Sequence, residues 1–317
     1  MNIGLDIMGG DFVPVETVKG AILAQKELGK GNKLFLFGNH EEVATHLIKN
    51  NSNPDDFVIV DCENSILMED YPVESFREKR KSEIVQGFTY LKKNLIDGFA
   101  SAGNTGSMLV GATTVTGVIE GVLRPVISSC YPNNNGGNNL LLDVGLSADC
   151  KPENLHQFAL IGSLYAKYIM EIKNPRVGLL NVGSEDSKGS TTVKSAYKLI
   201  AEDKNINFIG NIEGYHLHNN DMVDVIISDG FTGNIVLKHA ESFYKILKQR
   251  NINDSYFNNY NYENYGGTPI LGIQQPVVIG HGASSALAIK NMILLTKKII
   301  ESKLVEKISK SFSYVTN

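Results

Sequence analysis

Short, continuous apolar runs recur along the whole chain, and most of them end at a loop that contains glycine. A strand buried on both faces of a sheet produces such a run, because neither face meets water. Helical patterns separate many of the runs, for example at residues 15–28 and 155–170. This alternation predicts an α/β protein built mainly on a parallel sheet. The predicted strands are residues 3–8, 33–37, 57–61, 98–102, 125–131, 139–144, 176–182, 223–228 and 276–279.

The loops after these strands contain the candidate ligand-binding residues. They are rich in Gly, Asn, Thr and Asp, as in the sequences GGD, GNTG, DGFTGN and GHG. Parallel strands bring such loops to one edge of a sheet, where α/β proteins bind ligands. Free backbone N–H groups, small hydroxyls and amides suit an anion, above all a phosphate. Each loop alone is ordinary turn chemistry, but several together predict a phosphate-type site.

The sequence lacks the motifs of several functional classes. The sequence has no GxGxxG after the first strand, no GxxxxGK[ST], no GxSxG and no HExxH. His216 and His218, in HLHNN, are expected to be surface residues. A net charge of −4 argues against nucleic-acid binding, and three scattered cysteines suggest a reducing compartment. No apolar stretch is long enough to span a membrane, so a cytoplasmic protein is expected.

The chain shows no clear internal boundary, and a single domain over residues 1–317 is expected. Residues 250–268 are dominated by Asn and Tyr and predict a surface excursion. One last helix is predicted from about 285 to 309. Its apolar stripe is interpreted as a core-facing side, with a membrane-surface helix as the alternative.

Eight separated segments resemble the phosphate acyltransferase (PlsX) family, which acts on acyl-acyl carrier protein (acyl-ACP). They run in order over nearly the whole chain. The matching segments are IGLDIMGGD (3–11), SAGNTG (101–106), LRP (123–125), DCKPE (149–153), NPRVGLLNVG (174–183), FIGNIEG (208–214), SDGFTGNIVLK (228–238) and IGHG (279–282).

The resemblance implies a three-layer α/β/α fold like that of isopropylmalate dehydrogenases and phosphotransacetylases, usually in a homodimer. It implies that inorganic phosphate attacks the thioester of a long-chain acyl-ACP, giving acyl phosphate for phospholipid synthesis. It implies no metal and no nucleotide cofactor. Peripheral membrane contact, and transfer of the product to a membrane glycerol-3-phosphate acyltransferase, are also implied.

The resemblance places the catalytic roles at Lys188 and Asn234. Without the resemblance, Lys188 would be interpreted as a surface lysine and Asn234 as a helix-capping residue. The resemblance also suggests substrate-binding positions: Asp6, Gly9, Gly10, Asp11, Asn104, Thr105, Thr232 and His281. The sequence departs from the family pattern at Ser147 and Ser190, which puts the substrate contacts there in question.

Acyl carrier protein is strongly acidic, so its docking surface should be basic. The densest basic stretch is FREKRKS, with Arg77, Lys79, Arg80 and Lys81. A solvated charged segment is the alternative interpretation.

Three other classes compete with this function. A phosphotransacetylase-like enzyme would take acyl-CoA as the donor. A decarboxylating dehydrogenase would need a nucleotide site and a metal-binding aspartate cluster, and the sequence shows neither. A non-catalytic lipid-binding protein is disfavoured because Lys188 and Asn234 are both present.

Overall fold

The protein is described by a computed structural model that covers residues 1–219 and 221–313. The chain divides into two compact units. Unit 1 contains residues 1–119 and 262–305, and unit 2 contains residues 120–261 and the segment from Glu306. The single domain expected from the sequence stays a prediction.

Strands and helices alternate along most of the chain. The strands are β1 (Asn2–Asp6), β2 (Lys33–Gly38), β3 (Val58–Asp61), β4 (Gly98–Ser101), β5 (Val126–Pro132), β6 (Asn138–Leu142), β7 (Arg176–Leu180), β8 (Asn207–Ile212), β9 (Val225–Ile227), β10 (Thr268–Leu271) and β11 (Val277–Ile279). The α-helices are α1 (Val15–Leu28), α2 (His40–Lys49), α3 (Pro72–Glu78), α4 (Glu83–Lys92), α5 (Thr105–Gly111), α6 (Pro152–Tyr168), α7 (Thr191–Glu202), α8 (Gly230–Gln249), α9 (Ser255–Asn258), α10 (Ala286–Glu301) and α11 (Leu304–Ser313). Short 3₁₀ segments lie at Pro54–Asp56, Gly214–His218 and Tyr262–Asn264, and a π-helical turn at Ala112–Thr116 follows α5.

Unit 1 is built on the strand order β3-β2-β1-β4-β11-β10. Only β10 runs antiparallel to its neighbour β11. Leu5 lies beside Ala100, and Ser101 lies beside Ile279. The carboxyl ends of β1, β4 and β11 therefore meet at one edge, which brings their glycine loops together.

Helices cover both faces of this sheet. Gly98 of β4 packs against Thr296 of α10, whereas Phe99 contacts Phe88 of α4 with ring centroids 5.4 Å apart. Neighbouring residues in a strand point to opposite faces, so α10 and α4 lie on opposite sides. Unit 1 thus has the three layers that the resemblance implied.

Unit 2 is built on the order β5-β6-β9-β7-β8, with β5 antiparallel to β6 and the other pairs parallel. Leu142 of β6 and Leu179 of β7 both pair with Ile227 of β9. Gly162 of α6 packs closely on Val225 and lets this helix approach the sheet. The loops after β6, β9 and β7 leave from one edge.

The predicted α/β class and mainly parallel sheet are confirmed. Two strands were missed for local reasons. β8 is interrupted by Gly210, whose φ is 94°, and most of its residues are half-exposed. β10 contains Pro269 and follows the Tyr/Asn-rich segment, and proline argues against a strand.

The prediction of a single last helix was wrong. Lys303 has a φ of 53° and ends α10, so that α11 starts a new direction at Leu304. The apolar stripe is nevertheless core-facing, because Ile289, Ile293 and Ile308 are almost fully buried. Within the described part of the chain, no helix is both long and apolar enough to cross a membrane.

Candidate active site

Asp6 organises the loop cluster of unit 1, which we define as the loops after β1, β4 and β11. Its side chain is almost fully buried. Oδ2 accepts a hydrogen bond from Ser101 Oγ (2.7 Å), and Oδ1 accepts one from Met8 N (3.0 Å). Ser101 Oγ in turn accepts from Gly103 N at 2.9 Å. Burial raises the pKa of Asp6 to about 6, although these hydrogen bonds oppose the shift.

Gly9 and Gly10 stand where the loops approach most closely. A Cβ on Gly9 would lie 2.7 Å from Gly103 N, and Gly10 has a φ of 127°, which disfavours other residues. Asp11 N donates to Gly282 O (2.8 Å), so the first and last loops are joined. The sequence-predicted Asp6, Gly9, Gly10 and Asp11 therefore lie in one cluster.

Glu83, at the start of α4, is a second buried carboxyl of unit 1. Ser65 Oγ donates to its Oε1 at 3.1 Å. Burial, and next the negative charge of Asp6, raise the pKa of Glu83 to about 8. Burial therefore favours the protonated form of this carboxyl.

Both polar atoms of the Asn104 side chain form hydrogen bonds within the fold. Its Oδ1 accepts from Ser107 N (2.9 Å) and caps α5, while Nδ2 faces the carbonyls of Leu67 (3.0 Å), Met68 and Asp70. Asn104 thus fixes a loop beside the cluster, and its substrate-binding role stays a prediction. Thr105 is exposed at the first position of α5.

His281 follows β11 and stacks on Tyr262, with ring centroids 4.7 Å apart and an angle of 27°. Ala283 N donates to His281 Nδ1 (3.1 Å), and Tyr262 Oη donates to Ala283 O (2.7 Å). Because Nδ1 accepts, the neutral ring carries its proton on Nε2. The Tyr/Asn-rich segment thus holds His281 in one orientation.

In unit 2, the buried Asp143 organises the loop after β6. Its Oδ2 accepts from Ser147 N (2.6 Å), and Oδ1 accepts from Leu146 N (3.2 Å). Burial raises its pKa, and these hydrogen bonds oppose the shift. Ser147, one of the family departures, is buried and contributes its backbone N–H here.

Asn234 lies in the first turns of α8 and contacts this loop. Its Nδ2 donates to Val144 O at 3.0 Å, and Gly145 leaves room for it, since a Cβ there would lie 3.0 Å from Nδ2. Asp229 caps the helix by accepting from Thr232 N and Thr232 Oγ1, both at 2.8 Å. The structure therefore brings Asn234 and Thr232 to the positive end of a long helix.

Lys188 lies in the neighbouring loop, after β7. Its N–H donates to Glu185 O (3.1 Å), and its carbonyl accepts from Asn181 Nδ2 (3.2 Å). The side chain is exposed and forms no ion pair within residues 1–219 and 221–313. Ser190, another departure, caps α7 by accepting from Val193 N at 3.3 Å. Lys188 thus presents an exposed positive charge, and hydrogen bonds with Glu185 and Asn181 fix its main chain.

The predicted docking residues have acidic neighbours. Lys79 Nζ pairs with Asp70 and also donates to Ser65 O (2.9 Å), and Lys81 pairs with Glu63. Arg77 lies 3.8 Å from the adjacent Glu78 carboxylate. Arg80 is exposed and pairs with no carboxylate in the part of the chain that the structure describes.

Sequence reasoning missed Ser101, Glu83 and Asp143, and it did not pair Tyr262 with His281. Ser101 ends β4 and Asp143 directly follows β6, each just before a glycine loop, which is a usable signal. Glu83 carried no such signal, since its neighbours Asp6 and Ser65 come from distant parts of the chain, and the pairing of Tyr262 with His281 carried none either. His218 was wrongly expected on the surface: it is half-buried, and Tyr256 Oη and Tyr260 Oη lie 3.2 Å and 2.7 Å from its Nδ1.

The fold as a whole is that of a known class. The structure is similar to that of a phosphotransacetylase from Streptococcus pyogenes, with a TM-score of 0.67 and 18% identity, over 95% of this chain and 94% of that one. At this identity the likeness shows the fold alone. The protein is therefore an α/β protein of the phosphotransacetylase-like fold.

Sequence comparisons place the chain more narrowly. A family described as fatty acid synthesis protein matches residues 1–307. Proteins called phosphate acyltransferase are 37% identical to this chain in both Dictyoglomus turgidum, over 100% of this chain and 99% of that protein, and Halothermothrix orenii, over 96% of each. The chain belongs to this phosphate acyltransferase (PlsX) family and is an acyltransferase.

Proposed function

We propose that the protein transfers a long-chain fatty acyl group from acyl carrier protein to inorganic phosphate, giving acyl phosphate for phospholipid synthesis. The observation that carries the proposal is the placement of Asn234 and Lys188 in a chain of this family. Both lie at the carboxyl edge of the unit 2 sheet, Asn234 in the first turns of α8 and Lys188 as an exposed cation in the loop after β7. An anion and a developing oxyanion both favour such groups.

The reaction needs orientation and charge stabilisation. A phosphate oxygen attacks the thioester carbonyl carbon, the new C–O bond forms, and the C–S bond breaks as the thiolate leaves on the carrier protein and takes up a proton. We assign the positive charge of Lys188 to the phosphate and the amide of Asn234 to orienting phosphate or the carbonyl. Thr232 and the unit 1 residues Asp6, Gly9, Gly10, Asp11, Asn104, Thr105 and His281 are proposed substrate-binding positions.

An acyl-CoA donor is the second candidate, because phosphate would attack its thioester in the same way. The test is to mix the purified protein and phosphate with palmitoyl-ACP or palmitoyl-CoA and trap acyl phosphate as the hydroxamate. We expect phosphate-dependent product mainly from palmitoyl-ACP. Product from palmitoyl-CoA alone would establish the second candidate, and no product from either donor would refute both.

The basic stretch is proposed to dock the acidic carrier protein. Lys79 holds a loop through Asp70 and Ser65, so reversing Arg77 and Arg80 together is the cleaner test. We expect the Arg77→Glu, Arg80→Glu variant to raise KM for acyl-ACP about tenfold at low salt and far less at high salt, because screening weakens exposed charges.

The matched control for the dock is Lys92→Glu, Lys93→Glu, which reverses two exposed charges at the far end of α4. It should leave KM for acyl-ACP unchanged, and both variants should keep the wild-type KM for phosphate. Equal KM values for acyl-ACP in the docking variant and the control, at both salt concentrations, would show that the carrier protein docks elsewhere.

Tyr262 is proposed as a positioning residue for His281. Tyr262→Phe keeps the ring stack but loses the hydrogen bond to Ala283 O, so we expect about a threefold fall in kcat. Tyr262→Ala loses both contacts and should lower kcat about tenfold and shift the pH profile of kcat. Identical pH profiles for wild type and Tyr262→Ala would exclude this role.

We further propose a cytoplasmic homodimer with peripheral membrane contact, which passes its product to a membrane acyltransferase for glycerol 3-phosphate. Support comes from the exposed apolar residues of α8, namely Phe231, Ile235, Phe243 and Ile246. Light scattering of the pure protein tests the dimer. Flotation with anionic vesicles tests the membrane contact, and protein that stays in the bottom fraction would contradict it.

A further inference from the structure

An open apolar cavity of about 460 Å³ lies in unit 1, immediately beside the loop after β1. Its volume falls within the range of ligand pockets. It is lined by Phe12, Val13, Val15, Glu16 and Ser285, which we call the Phe12 pocket. Phe12 is 55% exposed and Val15 is 39% exposed, so two large apolar side chains meet water in this structure.

The walls of the Phe12 pocket are held by hydrogen bonds at both ends. Asp11 N donates to Gly282 O (2.8 Å), and Ala286 N donates to Glu16 Oε2 (2.8 Å). The loop before α1 is therefore tied to the loop before α10, and the first turn of α1 is tied to the first residue of α10. A pocket formed in advance loses little conformational entropy when a ligand enters.

The carboxylate of Glu16 and the hydroxyl oxygen of Ser285 already accept hydrogen bonds. The Glu16 carboxylate accepts from Lys19 Nζ (2.9 Å) and from Ala286 N, and these contacts lower its pKa. Ser285 Oγ accepts from Ala288 N at 3.4 Å and caps α10. Recognition in this pocket must therefore come mainly from apolar contact, which suits a saturated hydrocarbon better than a nucleotide or a sugar.

We propose that the Phe12 pocket binds the hydrocarbon chain of the acyl donor. This inference rests on the proposed function, because that function supplies a long-chain acyl substrate. The pocket starts one residue after Asp11, a member of the unit 1 loop cluster, so a chain there lies next to the predicted substrate-binding loops. Each buried methylene should improve binding by about fourfold until the pocket is filled.

The test compares octanoyl-, dodecanoyl- and palmitoyl-ACP as donors for wild type, Phe12→Ala and Val15→Thr. Phe12→Ala removes the largest apolar side chain of the lining, and Val15→Thr keeps the shape of Val15 but replaces one methyl group with a hydroxyl. The matched control is Leu23→Ala, which truncates an apolar side chain of α1 that is 40% exposed and lies outside the lining. Binding of decanoate by calorimetry is measured in parallel and needs no catalysis.

We expect Phe12→Ala to raise KM about tenfold for palmitoyl-ACP and about twofold for octanoyl-ACP, with kcat nearly unchanged. Decanoate should bind wild type and Leu23→Ala equally, and Phe12→Ala about tenfold more weakly. Unchanged discrimination between chain lengths in both pocket variants would overturn the proposal. The proposal would also be overturned if Phe12→Ala dissociated a dimer without altering the discrimination between chain lengths. A second copy of the chain would then be the occupant of the pocket. Decanoate binding that depends on Phe12 in a protein without transferase activity would support the pocket and refute the proposed function.

Discussion

Changing Lys188 to Ala is expected to lower kcat/KM for acyl transfer to phosphate by about a hundredfold, which is typical for loss of one group that stabilises transition-state charge. The lost ammonium group is exposed and forms no ion pair in the described ranges 1–219 and 221–313. Glu185 and Asn181 hold the main chain of Lys188 on both sides. The substitution should therefore remove a charge without disturbing the loop.

Asn234→Ala should cause a loss of similar size, because it removes the amide at the start of α8 and its hydrogen bond to Val144 O. The rate is followed by trapping palmitoyl phosphate as the hydroxamate, and folding by thermal melting. Lys194→Ala is the matched control, since it removes another exposed lysine that lies on α7. Folded Lys188→Ala and Asn234→Ala proteins that keep the wild-type rate would rule out the proposed site.

The free energy of unfolding is expected to fall as pH rises towards 8, and Glu83→Gln should remove most of this fall. Burial raises the pKa of Glu83 from 4.5 to about 8. Between these two values the folded protein binds more protons at this site than the unfolded chain does, so stability decreases with rising pH. At about 1.4 kcal/mol per pKa unit, the fall should reach about 3 to 5 kcal/mol.

The groups that face Glu83 support this direction. Asp6 adds a negative charge that opposes ionisation, whereas the positive charge of Lys79 and the Ser65 hydroxyl act weakly the other way. Urea unfolding at about pH 5 and about pH 9 measures the effect. Glu78→Gln is the control, because that exposed glutamate lies on α3 nearby. Equal pH dependence in wild type and Glu83→Gln would contradict the burial argument.

The fold class was predictable because the sheet is buried on both faces. Runs such as those that form β1 and β2 are continuously apolar, and the glycines after them mark where the strands end. The edge strand β8 and the proline-containing β10 lack that signal, since half-exposed strands show no continuous apolar run. The helix break at Lys303 could not be predicted from the sequence, because lysine has no preference for a positive φ.

The sequence by itself determined the α/β class, the family and the loops that carry the candidate site, since these depend on local patterns and ordered motifs. Only the tertiary structure showed that Asp6 shares a buried hydrogen-bond chain with Ser101, 95 residues away, and that Tyr262 stacks on His281. It alone showed that the side-chain amide of Asn104 faces three backbone carbonyls and that the carboxyl of Glu83 is buried. Burial, pKa and ring stacking depend on neighbours brought together by packing, which no local pattern specifies.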